Sequence, residues 1–340
     1  MGIEVTLVCW GHTMKLVRRQ FMRLAAGAAA LPAASRIASA QSYPSRPITL
    51  IVPFPAGGAA DAIARIIVER MRRPLGQRIV IENVGGADGS IGVGRAARAR
   101  PDGYTICLGF DATHVLNAAF YLLPYDVLND FAPISLLGTV PFVLAARNTI
   151  PAKDLNELIA WLKANPNKAS AGVVNLGNRV VAAFFQKQTG TQFTVVPYRA
   201  LGDLLADAIA SRIDLAFGTT TTFLPQVRAG SVKVYAVTGD MRSPLAPDLP
   251  TFAETGLPAL TYSLWFGLFA PKGTPKDIIG KLNAAVVDAL ADPEVRSRLA
   301  DLGQEIFPRE RQTPEALAGL QKADADKWWP IIRELGIKAE

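Results

Sequence analysis

From Pro47 onward, short apolar runs alternate with longer stretches whose apolar positions recur at helical spacing. Ile48–Val52 is β-rich and apolar except at Thr49, which predicts a buried strand. Residues 61–71 carry Ile63, Ile66, Ile67 and Arg70 at helical spacing, and 78–81 predicts the next strand. The same rhythm predicts a helix at 92–100, a strand at 104–108, helices at 154–164 and 202–210, and strands at 213–217 and Val232–Val237. The tail, 275–337, is helical in pattern, with proline-marked starts at Pro275 and Pro314. Helix alternating with uninterrupted apolar strand implies α/β layers, the strands largely parallel and covered on both faces.

Length and charge narrow the class. A chain of 340 residues, 50% hydrophobic and 19% charged, holds enough apolar material for two cores and too much for disorder. The longest apolar run in the body, 260–270, contains Thr261, Tyr262 and Ser263 and falls short of the roughly 20 residues of a membrane span. The net charge of +7 invites a nucleic-acid reading, but five basic residues (Lys15, Arg18, Arg19, Arg23, Arg36) and one acid (Glu4) lie in 1–40, which leaves +3 for the rest. That segment has a basic start, an alanine-rich apolar run and Ala38-Ser39-Ala40 before Gln41, the pattern of an export signal. Arg18-Arg19 makes it similar to twin-arginine signals, and Met14 is an alternative start to Met1. Removing 1–40 takes away Cys9 and His12 and leaves Cys107 and His114, so neither an intramolecular disulfide nor a cysteine- or histidine-rich metal site is expected. Cys107, in an apolar run, reads as a small core hydrophobe. The remaining basic groups, Arg70, Arg72 and Arg73 and then Arg95, Arg98 and Arg100, read as solvated faces, so no nucleic-acid partner is expected.

Two loops carry candidate chemistry. Pro53-Phe54-Pro55-Ala56-Gly57-Gly58 runs from a strand directly into a helix at Asp61. Gly57 and Gly58 let the backbone approach a ligand, and the unpaired N–H groups of the helix start form an anion site without a charged side chain. The alternative is a plain strand–helix turn with Asp61 as a helix-start residue, and spacing does not separate the two. The absence of Lys-Ser/Thr excludes a nucleotide P-loop. The second loop, from Glu82 through Gly86, Ala87, Asp88 and Ser90 to Gly92, also joins a strand to a helix. Its G-x-G-x-x-A match at 92–97 starts too far beyond the strand for a dinucleotide site. Two glycine-rich helix starts on one sheet edge converge on one crevice.

These loops sit within a longer series of motifs: PSRPITLIVPFPAGG at 44–58, IENVGGADGSIG at 81–92, RPDGYT at 100–105, NDFAPIS at 129–135, VPYR at 196–199, GLPAL at 256–260 and WFGLFAPKGTP at 265–275. Together they resemble the solute receptors of tripartite tricarboxylate transporters, the Bug-type family, over about 43–337. The resemblance implies a two-lobed type II periplasmic binding protein fold, with mixed, mostly parallel sheets and helices on both faces. It implies one lobe of 41–146 with 264–340 and a second of 147–263, closing by a hinge on a small carboxylate. It further implies a monomer in the periplasm of a Gram-negative bacterium, no enzymatic step and no cofactor, and membrane components of a transporter as partners. The first-lobe grip would use Phe54, Ala56, Gly57, Gly58 and Asp61 with Gly86, Ala87, Asp88 and Ser90, partly through water.

The second lobe departs from the family pattern. Ser170, Ala171 and Gly172 match its serine- and glycine-rich strand end, but Asn175, Asn178 and Arg179 follow where threonine or serine leads to a histidine. Tyr198 and Arg199 match, whereas Ala200-Leu201 replaces a glycine, and Gly218, after Asp214 and Phe217, stands where an acid is frequent. Loss of that acid removes a partner for an ammonium group, while Arg179 and Arg199 offer forks for a second carboxylate, the alternative for each being a solvated charge. A di- or tricarboxylate or an aromatic carboxylate is therefore expected rather than a zwitterionic amino acid. Phe54 is the expected apolar wall; Trp265 and Phe266 read as core, and Trp328-Trp329 as packed on the sheet. A ligand-sensing receptor for a signalling partner is the alternative in the same fold. An exported hydrolase would need a triad or a metal, and His114 alone supplies neither.

Overall fold

The computed structural model describes residues 43–337 and, near the N-terminus, the strand pair β1 (Thr6–Cys9) and β2 (His12–Lys15). These two pair antiparallel, with Thr6 opposite Lys15 and Cys9 opposite His12. The twin arginines, the alanine-rich run and the Ala38–Ala40 site expected in 1–40 lie outside the described residues.

The described residues from 46 to 337 belong to one compact unit. Its first part builds β3 (Ile48–Val52), α1 (Ala59–Leu75), β4 (Ile79–Asn83), α2 (Ser90–Ala97), β5 (Thr105–Phe110) and the short α3 (Asn117–Phe120). The isoleucines expected on the inner face of the first helix are buried, as is Met71. Asp61 in its first turn and Arg72 and Arg73 in its last complement the helix dipole, and Gly76 in the left-handed conformation ends it by donating to the Arg72 and Arg73 carbonyls. The long strand β6 (Phe131–Arg147) leads into α4 (Leu155–Ala164), β7 (Ser170–Val173), α5 (Leu176–Thr189), β8 (Thr194–Pro197), α6 (Leu201–Ile209), β9 (Leu215–Thr219), α7 (Thr220–Arg228) and β10 (Val232–Val237). The chain closes with β11 (Ser263–Pro271), α8 (Lys276–Ala291), α9 (Pro293–Asp301), the two-residue β12 (Glu305–Ile306) and α10 (Pro314–Leu335).

The strands lie in one mixed sheet of order β4-β3-β5-β11-β6-β9-β7-β8, with β10 and β12 also paired to β6. At one end β3 runs parallel to β4 and β5; at the other β7 runs parallel to β8 and β9. Between them β11 and β6 are antiparallel to their neighbours. β6 joins the two halves. Up to Pro141 it pairs with β11, and from Phe142 it pairs with β9 and β10. At about 3.3 Å per residue, a strand of 17 residues is long enough to serve both halves.

Alternation along β11 sorts its side chains. Trp265 is buried and donates its indole N–H to Asp324 on α10 at 2.7 Å, while Leu264 and Phe266 face the other side. Trp328 on α10 is also buried, edge-on to Phe184 and Tyr262, and Trp329 donates to the Val115 carbonyl at 2.9 Å. Cys107 is a buried free thiol whose pKa burial pushes up, in keeping with a core hydrophobe. Two of the basic residues singled out in the first half are engaged with acids: Arg70 with Asp288 and Asp292, and Arg95 with Glu82. Among the described residues no helix is long and apolar enough to cross a membrane, and no group of histidine, cysteine, aspartate and glutamate could hold a metal ion.

Candidate functional site

Because β3, β4 and β5 are parallel, their C-terminal ends open on one edge, and the turns that leave them meet the turn after β7 around a cavity of about 730 Å³. One wall is the loop Phe54 to Gly58 with the first residues of α1. Gly58, the N-cap, has no side chain to cap the helix, so the first N–H groups of α1, at Ala59 and Ala60, face the cavity without intrahelical partners. The opposite wall is the start of α5. Asn175 caps it by accepting the Asn178 N–H at 2.9 Å, and the backbone of Leu176 and Gly177 lines the cavity. Two helix N-termini, each carrying partial positive charge, therefore border one space, and none of its lining residues is Lys, Arg or His.

The first loop is held from behind. Asp61, 3% exposed, accepts the Gly57 N–H at 2.9 Å, Arg65 Nε at 2.9 Å and Asn83 Nδ2 at 3.2 Å. The same Asn83 nitrogen reaches the Phe54 carbonyl at 3.1 Å and so ties β4 to the loop. The Arg65 hydrogen bond, with those of Gly57 and Asn83, holds the Asp61 carboxyl below its ordinary range despite burial. Gly57 adopts a left-handed φ of 85°. Gly89 in the second loop does too, and a Cβ there would stand 2.8 Å from Thr113 Cγ2 and 3.0 Å from the Phe54 ring. That crowding is what lets the three loops pack together.

Other groups complete the cavity. Phe54, Phe110 and Phe266 form an aromatic row with centroids 5.1 and 5.4 Å apart. Asp88 takes the Tyr121 hydroxyl at 2.5 Å. Asp111, immediately after β5, is buried and accepts the Tyr262 hydroxyl through Oδ2. Burial, reinforced by the Asp324 carboxyl, pushes its pKa up to about 7 against the Tyr262 hydrogen bond. The Tyr262 phenol is itself raised well above its ordinary value by burial and by Asp111. His114 does not line the cavity: it stacks on Phe269 at 4.0 Å, contacts Thr113 Oγ1 at 3.0 Å, and burial lowers its pKa to about 3.

Of the residues singled out from sequence, Phe54, Ala56, Gly57, Gly58, Asp88 and Asn175 line this cavity. Asp61 lies behind it, Gly86 and Ala87 are exposed in the second loop, and Ser90 accepts Asn117 Nδ2 at 3.1 Å at the start of α2. Asn178 is buried in the first turn of α5, and Arg179 beside it is half-buried. Ser170 stands at the far end of β7, where its N–H and hydroxyl donate to Asp214, itself paired with Arg147 at 2.6 Å. Ala171 and Gly172 are buried along that strand, the glycine against Leu204 and Tyr198. Tyr198 donates to Asp207 at 2.9 Å, Arg199 is exposed, and Gly218 packs against Phe223 inside β9. Neither Arg179 nor Arg199 lines the cavity. Phe266, read as core, does line it, whereas Trp265 is core. Phe110, Asp111, Asn117, Leu176, Gly177 and Leu264 are lining residues that sequence reading did not select. The signal for Asp111 was available: it follows the apolar run at 104–108 as the third strand end of the same edge.

A family model described as the tripartite tricarboxylate transporter family receptor matches residues 63–337. The solved structure of the periplasmic binding protein BugD is 35% identical, with a TM-score of 0.71, covering 88% of this chain and 100% of that one. MatC from Rhodopseudomonas palustris, with bound malate, is 35% identical at a TM-score of 0.71 over 85% of this chain and 100% of its own. Rpa4515 from the same organism, with adipate, is 31% identical at a TM-score of 0.73 over 87% and 99%.

Proposed function

The chain belongs to the tripartite tricarboxylate transporter receptor family, whose members are periplasmic substrate-binding receptors and not enzymes, and from that premise we propose that it captures a small carboxylate in the crevice between its two sheet halves. The observation that carries the reading is the pair of helix N-termini, α1 and α5, facing one cavity whose lining has no basic side chain. Backbone N–H groups recognise a carboxylate wherever it sits, and the glycine loop brings them to it. Two such termini suit a ligand with two carboxylates, and the aromatic row of Phe54, Phe110 and Phe266 suits an alkyl or aromatic body between them. A di- or tricarboxylate or an aromatic carboxylate is therefore the proposed ligand class, and the malate and adipate bound by its structural neighbours are of the first kind.

Closure of 147–263 on 41–146 and 264–340 would sequester the ligand, bending where β6 changes partners between Pro141 and Phe142. The closed receptor would then deliver the ligand to the membrane components of a tripartite transporter, from the periplasm, after export by the twin-arginine-like segment 1–40. Mass spectrometry of the denatured protein identifies what is retained from the producing cells, and titration calorimetry over a carboxylate panel tests it. Binding of a di-, tri- or aromatic carboxylate is the expected outcome; a panel in which only neutral compounds bind overturns the reading. An N-terminal mass beginning at Gln41 is expected of the exported protein.

A further inference from the structure

Two acceptors on one wall of the cavity have no partner. Asp111 is 2% exposed; its Oδ2 takes the Tyr262 hydroxyl, and its Oδ1 meets no donor. Asn117 is fully buried, and its Nδ2 donates to the Asp88 carbonyl at 2.9 Å and to Ser90 Oγ at 3.1 Å. A carbonyl only accepts, so the amide nitrogen must face it, and Oδ1 is the atom left over. More than nine buried polar groups in ten are hydrogen-bonded in folded proteins. Two orphaned acceptors on residues of one cavity wall are therefore an unfilled demand for donors.

We propose that the ligand carries, besides its carboxylate, a hydrogen-bond donor, a hydroxyl or, against the expectation drawn from Gly218, an ammonium group, which Asp111 and Asn117 bind, and that Asp111 is the residue separating such ligands from their unsubstituted analogues. The inference rests on the carboxylate reading of the crevice. The helix N-termini attract the carboxylate but cannot tell a substituted acid from an unsubstituted one, because both present the same anion. Asp111 can: its Oδ1 is already shut off from water without a donor, and a substituted acid supplies the missing donor where an unsubstituted one does not, a gain worth roughly tenfold to a hundredfold in affinity. The burial that raises its pKa keeps the Asp111 carboxyl adaptable, since a hydroxyl suits either protonation state while an ammonium draws it into the charged form.

The test is calorimetry of the wild-type protein, Asp111→Ala and Asp111→Asn with matched probes: succinate, malate and aspartate; glutarate, 2-hydroxyglutarate and glutamate; phenylacetate, mandelate and phenylglycine. In the wild type the hydroxy or amino member of one series is expected to bind at least tenfold tighter than its unsubstituted parent. In Asp111→Ala that gap should shrink below about threefold, with circular dichroism and thermal unfolding of the variant as the control for folding. Asp111→Asn separates the two donors: a hydroxyl preference survives the neutral amide, and an ammonium preference is lost with the charge. Equal binding of parent and substituted acid by the wild type, or an unchanged gap in Asp111→Ala, overturns the proposal and leaves the carboxylate reading standing. Failure of every acid to bind overturns both.

Discussion

The Asp61 carboxylate accepts the N–H of Gly57, four residues back along the chain, at 2.9 Å, and so folds the loop over the start of the helix that carries Asp61 itself. Its other partners, Arg65 and Asn83, leave it no freedom to turn toward a ligand. What it fixes is the shape of the loop.

Replacing Asp61 with alanine is expected to weaken carboxylate binding roughly tenfold by releasing a preorganised loop, whereas Asp61→Asn, which keeps an acceptor, falls between. Calorimetry on both variants, with thermal unfolding as the control for folding, checks this. An affinity unchanged in Asp61→Ala would mean that the loop holds its shape without that carboxylate.

Gly89→Ala places a Cβ 2.8 Å from Thr113 Cγ2 at a residue whose φ is 85°. Left-handed strain of this kind costs on the order of 1–3 kcal/mol, so urea unfolding should show a loss of about that size. Ligand affinity should fall as well, because the second loop is pushed off Phe54.

Asp111 predicts a pH signature in stability. Its native pKa, raised from 3.8 to about 7, means that the folded state holds this proton more tightly than the unfolded chain does. The stabilisation is complete below pH 3.8 and is lost as pH rises through 7, by a few kcal/mol in order of magnitude. His114, lowered to about 3, acts in the opposite sense, losing stability as pH falls below its ordinary value of 6.5. The comparison that isolates Asp111 is therefore wild type against Asp111→Asn, in which His114 and Asp324 are unchanged. The stability of the wild type relative to the variant should decline steadily from pH 4 to pH 7 in denaturant titrations; a flat difference would show that Asp111 titrates normally.

Ser170→Ala removes the hydroxyl that donates to Asp214 at the end of β7 remote from the cavity and leaves the backbone N–H bond to the same carboxylate. Only the hydroxyl bond depends on the side chain, so a cost of about 1 kcal/mol in stability is expected. Carboxylate affinity measured by calorimetry should stay within about twofold of the wild type.

Strands such as Ile48–Val52 and Val232–Val237 could be placed to the residue from hydrophobic pattern, because a buried strand needs a mainly apolar run, broken here only by Thr49 and Lys233, and the turns at its ends do not tolerate one. Helix ends were less sharp: α1 begins at Ala59 rather than near Asp61, since Gly58 serves as N-cap through backbone conformation alone. The first glycine loop was legible as a candidate anion site, one of two readings that spacing left open, because glycine marks where the backbone is bare.

The long strand β6 shows the limit of that reading. No strand was expected over 131–147, although Pro141, which has no N–H to give a ladder, stands where the strand's neighbours change from β11 to β9 and β10. Ser170 and Asn175 present the same difficulty in the second half: both lie in a serine- and asparagine-bearing segment, yet one faces the cavity and the other supports Asp214, because β7 separates them by its own length.

Taken by itself, the sequence determined the elements, their layered α/β arrangement and the backbone character of the first loop, since each depends on residues adjacent in the chain. Only the tertiary structure decided that α1 and α5 aim at one cavity, that Arg179 and Arg199 do not line it, and that Asp111 and Asn117, which do, each keep a buried acceptor without a partner. The physical reason is that a hydrogen bond's absence belongs to the surroundings of an atom, and those surroundings come from β5, α5 and β11, strands and helices brought together from more than 150 residues apart.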